Sequence, residues 1–125
     1  MTENEISKIL VDVCFNVHKK LGPGLLESVY ETIICHELDK LEIPYQRQQG
    51  IKVIYDTIAM DMGFRADIIV DKKVIVELKS IEAIAPVHCK VVLTYLRLTN
   101  IRLALLVNFN VALIKDGITR IVNNL

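Results

Sequence analysis

The segment from Phe64 to Ser80, FRADIIVDKKVIVELKS, constrains the fold more than any other part of the chain. Two runs rich in β-branched residues flank the charged triplet Asp71-Lys72-Lys73, and a three-residue loop is a common length for a β-hairpin. The register that follows from this loop makes one face of the hairpin wholly apolar. The pairs on that face are Val70 with Val74, Ile68 with Val76, and Ala66 with Leu78.

The opposite face of the predicted hairpin places like charges against each other. Counted from the turn, the first pair on this face is the apolar Ile69 and Ile75. Asp67 then lies across from Glu77, and Arg65 lies across from Lys79. Directly opposed like charges destabilise a sheet. A divalent cation between the two carboxylates would remove that repulsion, and Mg²⁺ takes carboxylate oxygens at about 2.0–2.1 Å.

Lys79 extends on the same face as Glu77, because it is two residues further along the strand. A metal ion beside a lysine suits hydrolysis of a phosphodiester. The metal polarises the phosphate and acidifies water, while the lysine orients that water or offsets developing negative charge. The alternative is a solvated charged face, held by diagonal ion pairs of Arg65 with Glu77 and of Asp67 with Lys79.

The rest of the chain predicts an α/β fold, in which helices flank a mixed sheet within one domain, residues 1–125. The first helix begins at a cap on Thr2 or Asn4 and ends at the LGPG segment, residues 21–24. The other predicted elements are helices over 25–41 and 87–98 and strands over 45–55, 64–70, 74–79, 102–109, 111–115 and 118–122. The 87–98 helix is expected to be a crossover connection.

Composition restricts the partners and the compartment. Lys and Arg total 15, as do Asp and Glu, so any nucleic-acid contact must come from a local basic patch. The apolar content of 52% favours burial of extra surface in a homo-oligomer. Three cysteines without a CxxC pattern predict reduced thiols, and neither a signal peptide nor a membrane-spanning stretch is expected. The expectation is a soluble cytoplasmic protein that makes no membrane contact.

Two motifs resemble a known family. The pattern Asp67 … Glu77-Leu78-Lys79 is similar to the active-site strands of the PD-(D/E)XK nuclease superfamily. The segment GLLESVY, residues 24–30, matches the signature of the GxxExxY proteins within that superfamily. The resemblance implies a PD-(D/E)XK nuclease-like core, Mg²⁺ or Mn²⁺ as cofactor, and DNA or RNA as partner.

The resemblance also assigns roles to individual residues. Asp67 and Glu77 would be metal ligands and Lys79 the catalytic lysine, and the Leu78 carbonyl would add a metal contact. Glu27 would be a further acid at the metal and in catalysis, contributed by a helix. A structural explanation of Glu27 stands beside this one, because a carboxylate near a helix N-terminus is favoured by the helix dipole alone.

One position departs from the family pattern. Many relatives carry a glutamine four residues before the tyrosine that corresponds to Tyr95, where this chain has Val91. A valine cannot make the hydrogen bond that the glutamine would supply. Three hypotheses follow: a metal-dependent nuclease, an inactive relative that binds nucleic acid or protein, and a structural subunit whose apolar surface meets a partner.

Overall fold

The computed structural model describes the backbone of residues 1–125 and every side chain except that of Met62. Three helices, five strands and one short 3-10 helix follow one another in the described chain. They are α1 (Glu3–Leu21), α2 (Glu27–Lys40), β1 (Tyr45–Tyr55), β2 (Ile58–Val70), β3 (Val74–Lys79), α3 (Pro86–Thr99), β4 (Leu103–Asn108), the 3-10 helix (Ile114–Asp116) and β5 (Ile118–Val122).

The strands form one mixed sheet in the order β1-β2-β3-β4-β5. Neighbouring strands are antiparallel except for β3 and β4, which are parallel and are joined through α3. A parallel pair needs a crossover connection, and α3 provides it, as the sequence predicts. The predicted α/β class with a mixed sheet is confirmed.

Two apolar cores cover the two faces of the sheet. The first core lies between the sheet and the helices α1 and α2, and it includes the fully buried Leu10, Tyr30 and Ile34. The second core lies beneath α3, where Val92 and Leu96 pack on Ile75 and Leu106. Strands β3 and β4 are buried on both faces, which explains their nearly continuous apolar sequences.

The ends of α1 follow from local chemistry. The Thr2 hydroxyl accepts the Glu5 N–H at 3.2 Å, so Thr2 is the N-cap that the sequence predicts. At the other end Gly22 adopts φ +73°, a conformation open to glycine, and its N–H donates to the His18 carbonyl. Among the described residues, no helix has the length and apolarity to cross a bilayer.

The structure corrects two predicted strands. The segment 111–115 is not a strand, because its apolar residues pack against α1 instead of pairing: Ile114 is buried in the first core, and the Val111 carbonyl lies 2.9 Å from His18 Nε2. The second strand begins at Ile58 rather than at Phe64, because β1 and β2 continue their pairing as far as Tyr55 and Ile58.

Candidate active site

The candidate active site lies where β2 and β3 separate. Backbone pairing runs from the turn to Ile68 and Val76, in the predicted register. One residue further, the Asp67 N–H donates to Glu77 Oε1 at 2.9 Å, and the Leu78 N–H donates to Asp67 Oδ2 at 2.8 Å. Each carboxylate therefore satisfies a backbone donor of the opposite strand. We call this place, formed by Asp67, Glu77 and Leu78, the strand gap.

The backbone of Leu78 faces the strand gap. The N–H and C=O of one residue in an extended strand point to the same side, and the Leu78 N–H is bonded to Asp67. The carbonyl oxygen is therefore directed toward the same gap, while the side chain is buried in the first core. This orientation agrees with the metal contact that the resemblance implies for Leu78.

Strand β2 changes face at Asp67. Ile68 packs in the first core, whereas Ala66 packs in the second core on the other side of the sheet. Regular alternation would place these two side chains on one face. The prediction that Ala66 shares the apolar face of Ile68 is therefore wrong, and the irregularity coincides with the strand gap.

Strand β1 is irregular at the same level. Arg47 pairs with Ile68 and Gln49 pairs with Ala66, while Gln48 between them has φ +50° and stands outside the regular pairing. Arg47 and Gln48 both bond the same side chain of α2, although successive residues of a strand normally point to opposite faces. The left-handed conformation of Gln48 therefore turns its side chain toward α2.

The side chain that receives both bonds is Glu31. Its Oε2 accepts Arg47 Nη2 at 2.9 Å and Arg47 Nε at 3.1 Å, and its Oε1 accepts Gln48 Nε2 at 2.6 Å. The same Gln48 nitrogen lies 3.3 Å from Asp67 Oδ1. Glu31 is 6% exposed, so its charge needs these partners. A continuous set of polar contacts thus joins Arg47, Glu31 and Gln48 to Asp67.

The two acids of the strand gap are poorly solvated. Burial, followed by the negative charge of Asp67, raises the pKa of Glu77 to about 7. Burial also raises the pKa of Asp67, against the hydrogen bond from the Leu78 N–H, which lowers it. The protein therefore holds two acids together in a place where their negative charge is insufficiently compensated.

Lys79 is the cation nearest to this pair along β3. Its positive charge lowers the pKa of both Asp67 and Glu77, which places the ammonium within electrostatic reach of both acids. Among the described side chains it forms no ion pair within 4.0 Å. Its backbone carbonyl accepts the Phe109 N–H at 2.9 Å, which fixes the end of β3 beside β4.

The GLLESVY segment holds the start of α2 beside the end of β3. Gly24 has φ +96°, a conformation that suits glycine, and the Tyr30 hydroxyl donates to the Gly22 carbonyl at 2.6 Å. The same hydroxyl accepts the Leu25 N–H, and the Leu25 carbonyl accepts the Ser80 hydroxyl at 2.7 Å. The tyrosine of the motif is therefore a hydrogen-bonding brace between the start of α2 and the segment before it.

Glu27 begins α2 and is exposed. Its negative charge contributes to the raised pKa of Glu77, after the larger effects of burial and of Asp67. Glu27 therefore belongs to the electrostatic surroundings of the strand gap. Its place in the first helical turn is equally favourable for a carboxylate, so both explanations of this residue remain.

Helix α3 approaches the strand gap through Tyr95. The Tyr95 ring stacks on Phe64 with centroids 4.1 Å apart, and burial followed by the charges of Glu77 and Asp67 raises its pKa. Val91, one turn earlier, is 41% exposed and supplies no polar group. His88 is engaged at the start of the helix, where its Nδ1 accepts the Ala85 N–H at 2.8 Å.

The donors in the strand gap fit a hard divalent cation. Among residues with described side chains, no group of three or more His, Cys, Asp or Glu is arranged to hold a metal. The available donors are carboxylate oxygens of Asp67 and Glu77 and the carbonyl of Leu78, and Mg²⁺ usually combines one or two carboxylates with water. Burial raises the pKa of both acids, and the charge of Asp67 adds to the shift at Glu77. A divalent cation would offset both effects. This donor set fits Mg²⁺ or Mn²⁺.

A mixed sheet, an acid pair at a strand separation and an E-x-K segment on the second strand together define a nuclease-like class of protein. A family profile described as the PD-(D/E)XK nuclease superfamily matches residues 4–121, and the chain belongs to that family. Members of this superfamily generally use divalent metals and act on nucleic acid. Searches of curated proteins and of solved structures returned no significant match.

Proposed function

We propose that this chain is a Mg²⁺- or Mn²⁺-dependent nuclease that hydrolyses phosphodiester bonds in DNA or RNA. The observation that carries the proposal is the strand gap, where Asp67 and Glu77 each bond the opposite strand and the charge of Asp67 adds to the raised pKa of Glu77. A sheet built for stability alone would continue its backbone pairing here. The superfamily membership of the chain supports the same conclusion.

The proposed metal ligands are the carboxylates of Asp67 and Glu77 and the carbonyl of Leu78, with Glu27 as a further acid from α2. A bound cation would polarise a phosphate oxygen and acidify water. Asp67 and Glu77 must be ionised to bind it, so the proton held by Glu77 is released on binding. The bonds of Tyr30 to Gly22 and of Ser80 to Leu25, which hold the start of α2 beside the end of β3, support membership of the GxxExxY group.

Lys79 is the proposed catalytic lysine. Its positive charge lowers the pKa of both acids, yet it forms no ion pair within 4.0 Å among the described side chains, so its donors are available to a substrate. In hydrolysis a water oxygen bonds to phosphorus and the bond to the leaving oxygen breaks. Lys79 would orient that water or stabilise the charge that develops on the phosphate.

A second candidate is a nuclease fold that binds nucleic acid or protein without cutting. Val91 favours it, because this position of α3 presents no hydrogen-bonding group beside Tyr95. The net charge of +0 also gives no general attraction for a polyanion. This candidate expects binding of Mn²⁺ or nucleic acid with no cleavage over long incubations.

The test is cleavage of DNA and RNA during titration with Mg²⁺ or Mn²⁺, in wild type, Asp67→Ala and Lys79→Ala. We expect metal-dependent cutting that both substitutions abolish. Lys72→Ala is the matched control, since Lys72 is an exposed lysine at the turn of the same hairpin. Activity that survives both site substitutions would exclude this site, and binding without cutting in wild type would favour the second candidate.

A further inference from the structure

We propose that Gln48 is a positioning residue, whose amide couples Asp67 to the buried Glu31 and so sets the orientation of the Asp67 carboxylate. The consequence for metal binding rests on the function proposed above. The geometric coupling between Gln48 and Asp67 is testable without a metal.

The side-chain amide of Gln48 lies between two carboxylates. Its nitrogen donates to Glu31 Oε1 at 2.6 Å and to Asp67 Oδ1 at 3.3 Å, so both amide hydrogens are directed at acids. The other Asp67 oxygen accepts the Leu78 N–H at 2.8 Å. With one oxygen bonded to β3 and the other to Gln48, the plane of the Asp67 carboxylate is defined from two sides.

The far end of this arrangement is a buried carboxylate with several hydrogen-bond donors. Glu31 is 6% exposed, and Arg47 binds its second oxygen through two nitrogens at 2.9 and 3.1 Å. Arg47 also donates to the hydroxyl of Thr32 on the same helix, at 3.1 Å. The Gln48 amide is therefore held against a fixed acceptor on α2, and it transmits that position to Asp67.

The backbone of Gln48 supports a role beyond packing. A non-glycine residue with φ +50° inside a strand is strained, and such strain persists where the surroundings hold it. Here the Arg65 guanidinium donates to the Gln48 carbonyl at 3.1 Å. The result of the strained conformation is that the Gln48 side chain joins Arg47 on the α2 side, where it reaches both acids.

An amide is well suited to this place. It donates to Glu31 and Asp67 at once and introduces no positive charge that would compete with a cation for Asp67. Arg47, the nearby cation, is engaged with the opposite oxygen of Glu31. Partners that orient metal ligands from outside the coordination sphere typically change metal affinity by about 10–100-fold when they are replaced.

The experiment compares Gln48→Met with Gln49→Met by calorimetric titration with Mn²⁺. Methionine keeps the length of the side chain and removes the amide. Gln49 is the matched control, because it is the adjacent exposed glutamine and makes no side-chain hydrogen bond among the described contacts. We expect the Mn²⁺ dissociation constant to rise about 10-fold or more in Gln48→Met and to stay unchanged in Gln49→Met. An unchanged constant in Gln48→Met would overturn the proposal.

Urea unfolding of the metal-free protein separates positioning from general stability. Gln48→Met and Asp67→Ala are measured singly and together, because alanine removes the oxygen that accepts from the amide. If the amide couples to Asp67, the change in the free energy of unfolding in the double variant differs from the sum of the two single changes. Additive changes would overturn the coupling. If wild type binds no Mn²⁺, the metal-dependent function fails, and this cycle alone decides whether Gln48 positions Asp67.

Discussion

The two ends of the β2–β3 pair are built from the same strands and differ in almost every physical property. At the turn end, Val70 pairs with Val74 and Ile69 pairs with Ile75 through backbone contacts, and these side chains are buried among apolar neighbours. At the other end, carboxylates take over the role of backbone acceptors. One end contributes stability, and the other carries charge at a cost in stability.

This difference shows how a small chain combines a firm sheet with a polar site. The backbone pairs at the turn end fix the register of the two strands. This register alone determines that Asp67 lies across from Glu77. The strand gap then uses the same register to bring the two acids together. Substitutions at the turn end should therefore change stability, and substitutions in the strand gap should change activity.

The largest expected effect is on cleavage at the strand gap. Glu77→Gln removes the charge of a proposed metal ligand while it keeps the shape of the side chain. We expect the rate of metal-dependent cleavage to fall on the order of 10³-fold, equivalent to several kcal/mol of lost charge stabilisation. The measurement is single-turnover cleavage in Mn²⁺. A loss in rate of less than about tenfold would show that Glu77 takes no part in catalysis.

A substitution at the turn end of the β2–β3 pair should lower stability and leave activity unchanged. Ile75→Ala shortens a fully buried side chain in the second core, and we expect the free energy of unfolding to fall by about 2–5 kcal/mol. Urea denaturation measures this loss. Cleavage per folded molecule should stay close to that of wild type, because Ile75 pairs with Ile69 and carries no polar group that could act at the strand gap. A large loss of activity in the folded fraction would break the contrast between the two ends.

The charge at the strand gap should make stability depend on pH. The pKa of Glu77 is raised from 4.5 to about 7, so the folded metal-free protein binds this proton more tightly than the unfolded chain does. Protonated Glu77 stabilises the folded state. This stabilisation is complete below the pKa that Glu77 has in the unfolded chain, and it is lost as the pH rises through the pKa that Glu77 has in the folded protein. We expect wild type to lose up to about 3 kcal/mol across this window.

Glu77→Gln is the control for this pH dependence, because the amide does not titrate. Urea denaturation in the presence of a chelator, from pH 4.5 to pH 8, should give a flatter curve for this variant. It should also be more stable than wild type at neutral pH, since an unfavourable buried charge is gone. Parallel curves for the two proteins would mean that Glu77 is not the group responsible.

The smallest expected effect concerns α3. Val91→Gln adds an amide one turn before Tyr95, at a position that is 41% exposed and therefore tolerant of the change. One added hydrogen bond contributes about 1 kcal/mol, so we expect cleavage to increase about fivefold. Val87→Gln makes the same change one turn further from Tyr95 and should leave the rate unchanged. Equal rates in all three proteins would show that the missing glutamine does not limit activity.

The sequence predicts the regular parts of this fold well. The hairpin register, the bounds of β1, β3 and β5, and the crossover helix follow from local alternation and helical spacing. Alternation fails at residues 111–115, because an apolar segment that packs against a helix has the same composition as a strand. The proximity of Asp67 to Glu77 was also predictable from the register of the hairpin, and the roles of the two acids and of Lys79 stay predictions.

The parts of the site that come from distant residues were not predictable. Glu31 finds Arg47 sixteen residues away, and Gln48 reaches Asp67 nineteen residues away. The left-handed conformation of Gln48 is accompanied by bonds to these partners and to Arg65, and no local pattern in the QRQQ segment indicates it. Tyr95 approaches the acids only after α3 has packed across the sheet.

The most direct test of the metal site is a crystal soaked in Mn²⁺ and measured for anomalous scattering. The account predicts a peak in the strand gap, within coordination distance of carboxylate oxygens of Asp67 and Glu77 and of the Leu78 carbonyl, with Lys79 beside it. The account would be contradicted if the strand gap showed no anomalous density at saturating Mn²⁺, or if the peak lay elsewhere in the protein.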